Sequence, residues 1–183
     1  MTQTSAVRKQ TRPQVKVRYA VLPSPVGDLV LSSDSETLQQ IWFTQGKGAA
    51  KVEDRWQRDD AAFAEAQRQL SAYFAGDLNQ FELELEPRGT AFQCAVWNAL
   101  RAIPFGETRS YGELAQAIGR PKAVRAVGAA NGANPLPIVV PCHRVIGANG
   151  TLTGFGGGLR AKQWLLAREG VQSDAFVFDQ PSA

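Results

Sequence analysis

The chain is predicted to be an α+β (α/β) protein. A small N-terminal antiparallel sheet with one helix precedes a mostly helical C-terminal domain that contains a helix-turn-helix. Three observations predict this. Apolar residues recur with the alternation of strands in the first half, over 15–43 and again at Phe81, Leu83 and Leu85. After Thr90 the apolar spacing becomes helical, and Thr90 and Ser110 each open a capping-box pattern. Between the two halves, Pro87-Arg88-Gly89 reads as a linker. A length of 183 residues is compatible with two small domains, placed at 15–86 and 87–171, with a disordered basic arm over 1–14 and a tail over 172–183.

In the first half, runs at 15–22, 29–31 and 38–43 read as successive strands of a meander. Pro23-Ser24-Pro25-Val26-Gly27 supplies the first turn and Asp34-Ser35-Glu36 the second. Asp59-Asp60 open a helix in which Phe63, Leu70, Tyr73 and Phe74 recur at helical spacing, and Gly76 stands at its C-cap. Phe81, Leu83 and Leu85 alternate with glutamates, as in a half-buried strand. No residue pattern in this half points to chemistry, so it reads as a scaffold.

In the second half, Thr90 to Gln93 caps a helix whose inner face is Phe92, Val96, Leu100 and Ile103, ended by Pro104. Cys94 and Trp97 within it read as packing. Ser110 and Glu113 cap a short helix through Leu114, Ala115 and Ile118. Gly119-Arg120 then turn the chain, and Pro121 suits the first position of a second helix running to about Asn131. This is helix-turn-helix spacing. Val124, Val127 and Asn131 should face inward, and Lys122, Arg125, Ala126 and Ala129 outward. Such short outward side chains admit close approach to a surface but offer few base-reading groups, so DNA binding with little sequence preference is expected. A helical hairpin that packs only internally is the competing reading.

Charge divides unevenly. Residues 1–89 hold 11 Lys/Arg and 12 Asp/Glu, whereas 90–170 hold 9 and 3. A basic second half points to a polyanion such as nucleic acid; a solvated basic face is the alternative. No long apolar run suggests a membrane span or signal peptide, which gives a cytoplasmic expectation. Two cysteines allow no disulfide framework, and with one histidine and no CxxC they argue against a metal site. The glycines of 147–158 lack a following Lys-Ser/Thr, so a nucleotide-phosphate loop is not expected, nor any cofactor.

The candidate chemistry lies at Pro141-Cys142-His143-Arg144, where one of two cysteines adjoins the sole histidine. An imidazole can activate a thiol by drawing its pKa down from about 8.5 toward neutrality. A merely buried cysteine is the alternative. A final helix with Leu159, Trp164, Leu165 and Leu166 as core candidates ends near Glu169. A carboxylate there faces the negative end of the helix dipole at a cost of about 0.3–1 kcal/mol. It is a candidate to orient His143, or else a surface partner of Arg168.

Over roughly 87–170 the chain resembles the O6-alkylguanine-DNA alkyltransferases, the methylated-DNA–protein-cysteine methyltransferases. The carriers are Phe92-Gln93 with Val96-Trp97, Ile103-Pro104, Ser110-Tyr111, Arg125-Ala126-Val127-Gly128, Asn134-Pro135, Pro141-Cys142-His143-Arg144-Val145, and Gly157-Gly158-Leu159 through Glu169. The resemblance implies a ribonuclease-H-like scaffold over 15–86. It also implies a single-use repair reaction, in which Cys142 takes the alkyl group from O6 of a flipped-out guanine, with O4-alkylthymine as a second candidate base. In that pattern His143 is the base for the thiol through a water, Glu169 orients His143, and Asn134 holds the network. Tyr111 assists the leaving guanine, and Arg125 fills the stack. Carbonyls of Cys142 and Val145 face the exocyclic amine, while Phe155, Gly156, Gly157 and Lys162 complete the pocket. Double-stranded DNA would be bound in its minor groove by a monomer. Phe155 and Gly156 depart from the Tyr and Ser of other members. No amino-terminal cysteine cluster of the regulatory members is present. A non-enzymatic lesion binder and a Cys-His-Glu hydrolase are the competing classes; Cys142 counts against the first and the helix-turn-helix against the second.

Overall fold

The computed structural model describes residues 16–46 and 52–171. The arm expected at 1–14 and the tail expected at 172–183 lie outside the described residues. Four strands form the N-terminal sheet: β1 (Arg18–Leu22), β2 (Leu29–Ser33), β3 (Gln40–Phe43) and β4 (Gln57–Arg58), in the order β3-β2-β1-β4. β1 to β3 pair antiparallel, with Ala20 opposite Leu31 and Leu31 opposite Ile41. β4 runs parallel to β1, so the sheet is mixed and not the purely antiparallel meander expected. Gln57 and Arg58 are both exposed and carry no apolar pattern. Backbone bonds alone hold them to the edge, Gln57 N–H to the Val17 carbonyl at 2.9 Å and Asp59 N–H to that of Tyr19 at 2.9 Å.

A 3-10 turn (Ala61–Phe63), whose Ala62 N–H donates to Asp59 Oδ1 at 3.1 Å, leads into α1 (Ala64–Ala75). Gly76 ends α1 at φ 106°, a left-handed cap that favours glycine. α1 buries Ala66, Leu70 and Tyr73. The strand expected at Phe81, Leu83 and Leu85 does not form. The three side chains do pack on the core, but the only pairing is an isolated bridge from Leu85 to Leu38. In place of a neighbouring strand, the Gln69 side chain meets the backbone of Glu82, accepting its N–H at 2.8 Å and donating to its carbonyl at 2.9 Å.

The second half contains α2 (Ala91–Arg101), α3 (Tyr111–Ala117), α4 (Val124–Gly132) and α5 (Gly158–Arg168). It also has a short parallel pair, β5 (Arg109–Ser110) with β6 (Val145–Ile146), that no periodicity announced. Both capping boxes form, Thr90 with Gln93 and Ser110 with Glu113. Trp97 is buried and donates its indole N–H to the Ala130 carbonyl at 2.9 Å, tying α2 to α4. α4 begins at Val124, later than expected, because Pro121 belongs to the turn and Ala123 N–H closes on the Arg120 carbonyl at 2.8 Å. Val124, the first residue of the helix, is 39% exposed and not inward-facing, while Val127, Ala130 and Asn131 are buried.

Candidate active site and nucleic-acid interface

The thiol stands on a strained approach. Ile138 adopts φ 76°, costly for a β-branched residue by about 1–3 kcal/mol. The segment is pinned by Asn134, whose Nδ2 donates to the Val140 carbonyl at 2.8 Å and whose Oδ1 accepts Leu136 N–H at 3.0 Å. Cys142, His143 and Arg144 follow in a 3-10 turn, all buried.

Glu169, expected in the last turn of α5, is its C-cap and is 4% exposed, so it is no surface carboxylate. Oε1 accepts from His143 Nε2 at 2.8 Å, Tyr73 Oη at 2.7 Å and Arg144 Nη2 at 3.0 Å. Oε2 accepts from Arg144 Nε at 2.7 Å and from Gly106 N–H at 3.3 Å. Arg144 also donates Nη1 to the Ile103 carbonyl at 2.6 Å. Burial alone would raise the Glu169 carboxyl. The His143 and Arg144 donors outweigh it and bring the group down to about 2.

An ionised Glu169 can only accept, so Nε2 of His143 carries the hydrogen and Nδ1 carries the lone pair. Nδ1 is buried without a partner among the described residues. Burial also holds the imidazole below its usual range, against the pull of Glu169, so it rests neutral. The Cys142 thiol is pushed up to about 11 by burial, only partly offset by Asn134 and Lys162. This corrects the expectation of a thiol drawn toward neutrality by its neighbour. The resting pair is thiol and neutral imidazole, with the base already turned to receive a proton.

A cavity beside the thiol is lined by Cys142, Asn134, Phe155, Gly156, Asn131 and, from the sheet, Trp42 with its two neighbours on β3. The first half therefore supplies a wall of the cavity, and reading it as a scaffold alone was incomplete. Phe155 packs edge-on against Phe43 at 5.4 Å between ring centres. A Cβ on Gly157 would lie 2.7 Å from the Phe43 ring, so this glycine admits the sheet rather than a ligand. Ile41 N–H donates to the Pro135 carbonyl at 2.8 Å, fixing β3 to the segment before the thiol.

Lys162 is fully buried. Its Nζ donates to the carbonyls of Val145 at 2.5 Å and Thr153 at 3.1 Å, and burial lowers its pKa to about 8. Tyr111 shares a hydrogen bond with Thr153 Oγ1 at 2.7 Å. Lys162 and Tyr111 thus both meet Thr153, next to the cavity-lining Gly154, Phe155 and Gly156, while Lys162, Val145, Tyr111 and Gly157 are not among the residues that line the cavity. Missed in the sequence were Arg144, Tyr73, the β3 wall and Asn131. For Arg144 a signal existed, a cation set between the apolar Ile138-Val139-Val140 and Val145-Ile146. For Tyr73 there was none, since its hydroxyl meets Glu169 across 96 positions of chain.

On the opposite face of α4, Arg125, Ala126 and Ala129 are exposed, and so is Lys122, which lies in the turn before the helix and not on it as expected. Neither Lys122 nor Arg125 has a hydrogen bond or ion pair among the described residues. No helix among the described residues is long and apolar enough to cross a membrane.

Two family models match: the ribonuclease-like domain of 6-O-methylguanine DNA methyltransferase over 17–87 and its DNA-binding domain over 91–171. A methylated-DNA–protein-cysteine methyltransferase of Methanosarcina acetivorans is 55% identical over 152 residues, 83% of this chain and 97% of its own. The crystal structure of the Mycobacterium tuberculosis O6-methylguanine methyltransferase superposes with TM-score 0.78 at 51% identity, covering 84% of this chain and 92% of that one. The same organism's protein in complex with DNA gives 0.76 at 49%, covering 84% and 93%. Two domain models in sequence order and half the residues identical over most of both chains leave one assignment: the chain belongs to the 6-O-methylguanine DNA methyltransferase family.

Proposed function

We propose that this protein repairs DNA by moving the alkyl group of O6-alkylguanine irreversibly onto Cys142, once per molecule. The observation that carries this reading is the buried thiol at a cavity wall, followed in sequence by an imidazole whose free nitrogen is set by an ionised carboxylate. The duplex is met by α4 from the minor groove, where Ala126 and Ala129 allow close approach. Arg125 takes the place of the extruded base. The alkylated guanine enters the cavity against Phe155 and Gly156.

Sγ then attacks the alkyl carbon in line with its bond to O6. The S–C bond forms as the C–O6 bond breaks, and the electron pair stays on the guanine. The thiol proton passes through a water to Nδ1 of His143, and Glu169 stabilises the imidazolium. Tyr111 turns its hydroxyl from Thr153 to hydrogen-bond the leaving guanine. The guanine anion takes a proton from solvent water and the imidazolium returns its own to solvent, so the thiol hydrogen lost equals the guanine N–H gained. A thiol that rests neutral is protected from stray electrophiles and becomes nucleophilic only as its proton leaves. Asn134 holds the backbone before the thiol, and Lys162 holds the loop. The protein works as a monomer in the cytoplasm, and O4-alkylthymine is a second substrate.

The test is intact mass and peptide mapping after incubation with duplex carrying O6-methylguanine. One methyl per molecule on the Cys142 peptide is expected, with Cys142→Ser binding DNA but leaving the lesion. More than one turnover, or an adduct on Cys94, would sink this reading.

A further inference from the structure

The alternating segment at Phe81, Leu83 and Leu85 has no strand beside it, and one of its edges is already occupied. Gln69 holds the backbone of Glu82, and Glu86 N–H donates to the Leu38 carbonyl at 3.4 Å. In extended chain, successive residues turn their N–H and C=O groups to opposite edges. Those of Phe81, Leu83 and Leu85 therefore point the other way, and none has a hydrogen bond among the described residues. Beside them runs a groove of about 370 Å³, with Ile103 and Phe105 on its far wall. Its lining includes two cations, Arg101 and Arg144, and no carboxylate. An unpaired edge along an apolar groove is a template for an added strand.

The end of α5 stands at the mouth of this groove and touches both walls. Arg168 donates Nη2 to the Leu78 carbonyl at 3.3 Å, next to the groove-lining Asn79. Glu169 accepts the Gly106 N–H at 3.3 Å, next to the groove-lining Phe105. Past Val171 the sequence continues with Asp174-Ala175-Phe176-Val177-Phe178-Asp179, a strand-forming apolar run between two carboxylates, without a cation. Phe176 lies five positions beyond Val171, a reach of about 17 Å in extended chain. We propose that residues 175–178 dock in this groove as a strand beside residues 81–85 of the same molecule. The added strand runs parallel to that segment, because the chain enters at the Asn79 end. Its backbone meets the free groups of Phe81, Leu83 and Leu85, and the rings of Phe176 and Phe178 share one face, toward Ile103 and Phe105. A flanking aspartate meets Arg101, which is exposed and has no ion pair among the described residues. The docked strand covers the outer edge of Arg144, the partner of Glu169, on the reverse of the turn that carries Cys142.

The experiment is amide hydrogen exchange on the full chain, read by mass spectrometry over peptides covering 79–86 and 172–183, with α2 as the internal control. In the parent both peptides should exchange about tenfold more slowly than in the double variant Phe176→Ser with Phe178→Ser, as for a docked state occupied about nine-tenths of the time. Arg101→Glu should release the same two peptides about threefold, the scale of one exposed ion pair. Protection should not depend on protein concentration. Protection that grows with concentration, together with a dimer in sedimentation, would give the groove to a second copy and overturn the proposal. A 172–183 peptide that exchanges at the free-chain rate in the parent overturns it too, as does a 79–86 peptide indifferent to the double variant.

Discussion

The outward face of α4 and the cluster around Glu169 hold charge in opposite ways. Arg125 and Lys122 stand in solvent without a partner among the described residues. Glu169 lies buried, enclosed by donors from Tyr73, Gly106, His143 and Arg144. An exposed cation keeps its charge available for an incoming polyanion and contributes little to the fold. A buried carboxylate spends its hydrogen-bonding capacity inside, fixing the imidazole tautomer and joining the two halves of the chain through Tyr73. Binding and chemistry should therefore be separable by substitution: changes on α4 should act through the duplex, and changes around Glu169 through the fold and the thiol.

The largest effect is expected from Glu169→Ala. It strips the partner from Arg144, which is 7% exposed, and an uncompensated buried charge costs about 3–5 kcal/mol. The denaturant midpoint should fall accordingly. Glu169→Gln keeps the shape but cannot enforce the tautomer, so transfer should slow about 10²-fold, the low end of a general-base contribution, with DNA affinity nearly unchanged. If that variant is kinetically silent while folded, the carboxylate is only a structural cap.

Acid should act in two stages. Burial keeps folded His143 from taking the proton that an unfolded chain binds below its ordinary value of 6.5, so stability declines as pH falls below that point. Glu169, held at about 2 against an ordinary 4.5, contributes fully above 4.5 and loses its contribution between those values. Acid unfolding should steepen below pH 4.5, and Glu169→Gln should lose that lower stage alone. The transfer rate should stay level through pH 6.5 and fall only below it, where Nδ1 becomes protonated. A rate that instead falls tenfold per unit from pH 9 downward would mean a pre-ionised thiolate is the attacking species.

Tyr73→Phe removes one donor from an ionised acceptor, worth about 1.5–3 kcal/mol of stability, with transfer slowed severalfold. An unchanged midpoint would detach the first half from the site. The smallest effect belongs to Lys122→Ala, expected to lower the salt slope of DNA binding by about one and leave transfer from a free base untouched. A loss on the free base would move Lys122 from the binding face to the fold.

Local rules made much of the fold legible. The capping boxes at Thr90 and Ser110 and the Gly76 cap are each set within a few residues and appear as read, whereas the stripe of α4 fails at Val124, which is exposed. The strand expected at 81–85 shows the limit. Its alternation of apolar residues and glutamates is real, yet a strand needs a neighbour, and Gln69 occupies the backbone of Glu82 instead. α4 was displaced because Pro121 serves a turn as readily as a first helical position. At the site, Cys142 and His143 announce themselves by adjacency. Tyr73, Ile41 and Trp42 could not, because only the tertiary fold brings them to the cavity. The electrostatics were also hidden, since adjacency says the thiol has a base but not that burial outweighs it.

Separability of the two charged regions is tested most directly by one ratio, the single-turnover rate on duplex O6-alkylguanine over that on free O6-benzylguanine. Arg125→Lys should lower this ratio clearly, because a planar guanidinium can stand in the base stack and an ammonium cannot, while the free-base rate holds at the parent value. Glu169→Gln should slow both substrates alike and leave the ratio unchanged. Equal loss on both substrates for Arg125→Lys, or a free-base rate spared by Glu169→Gln, would contradict the division of labour between the face of α4 and the buried cluster.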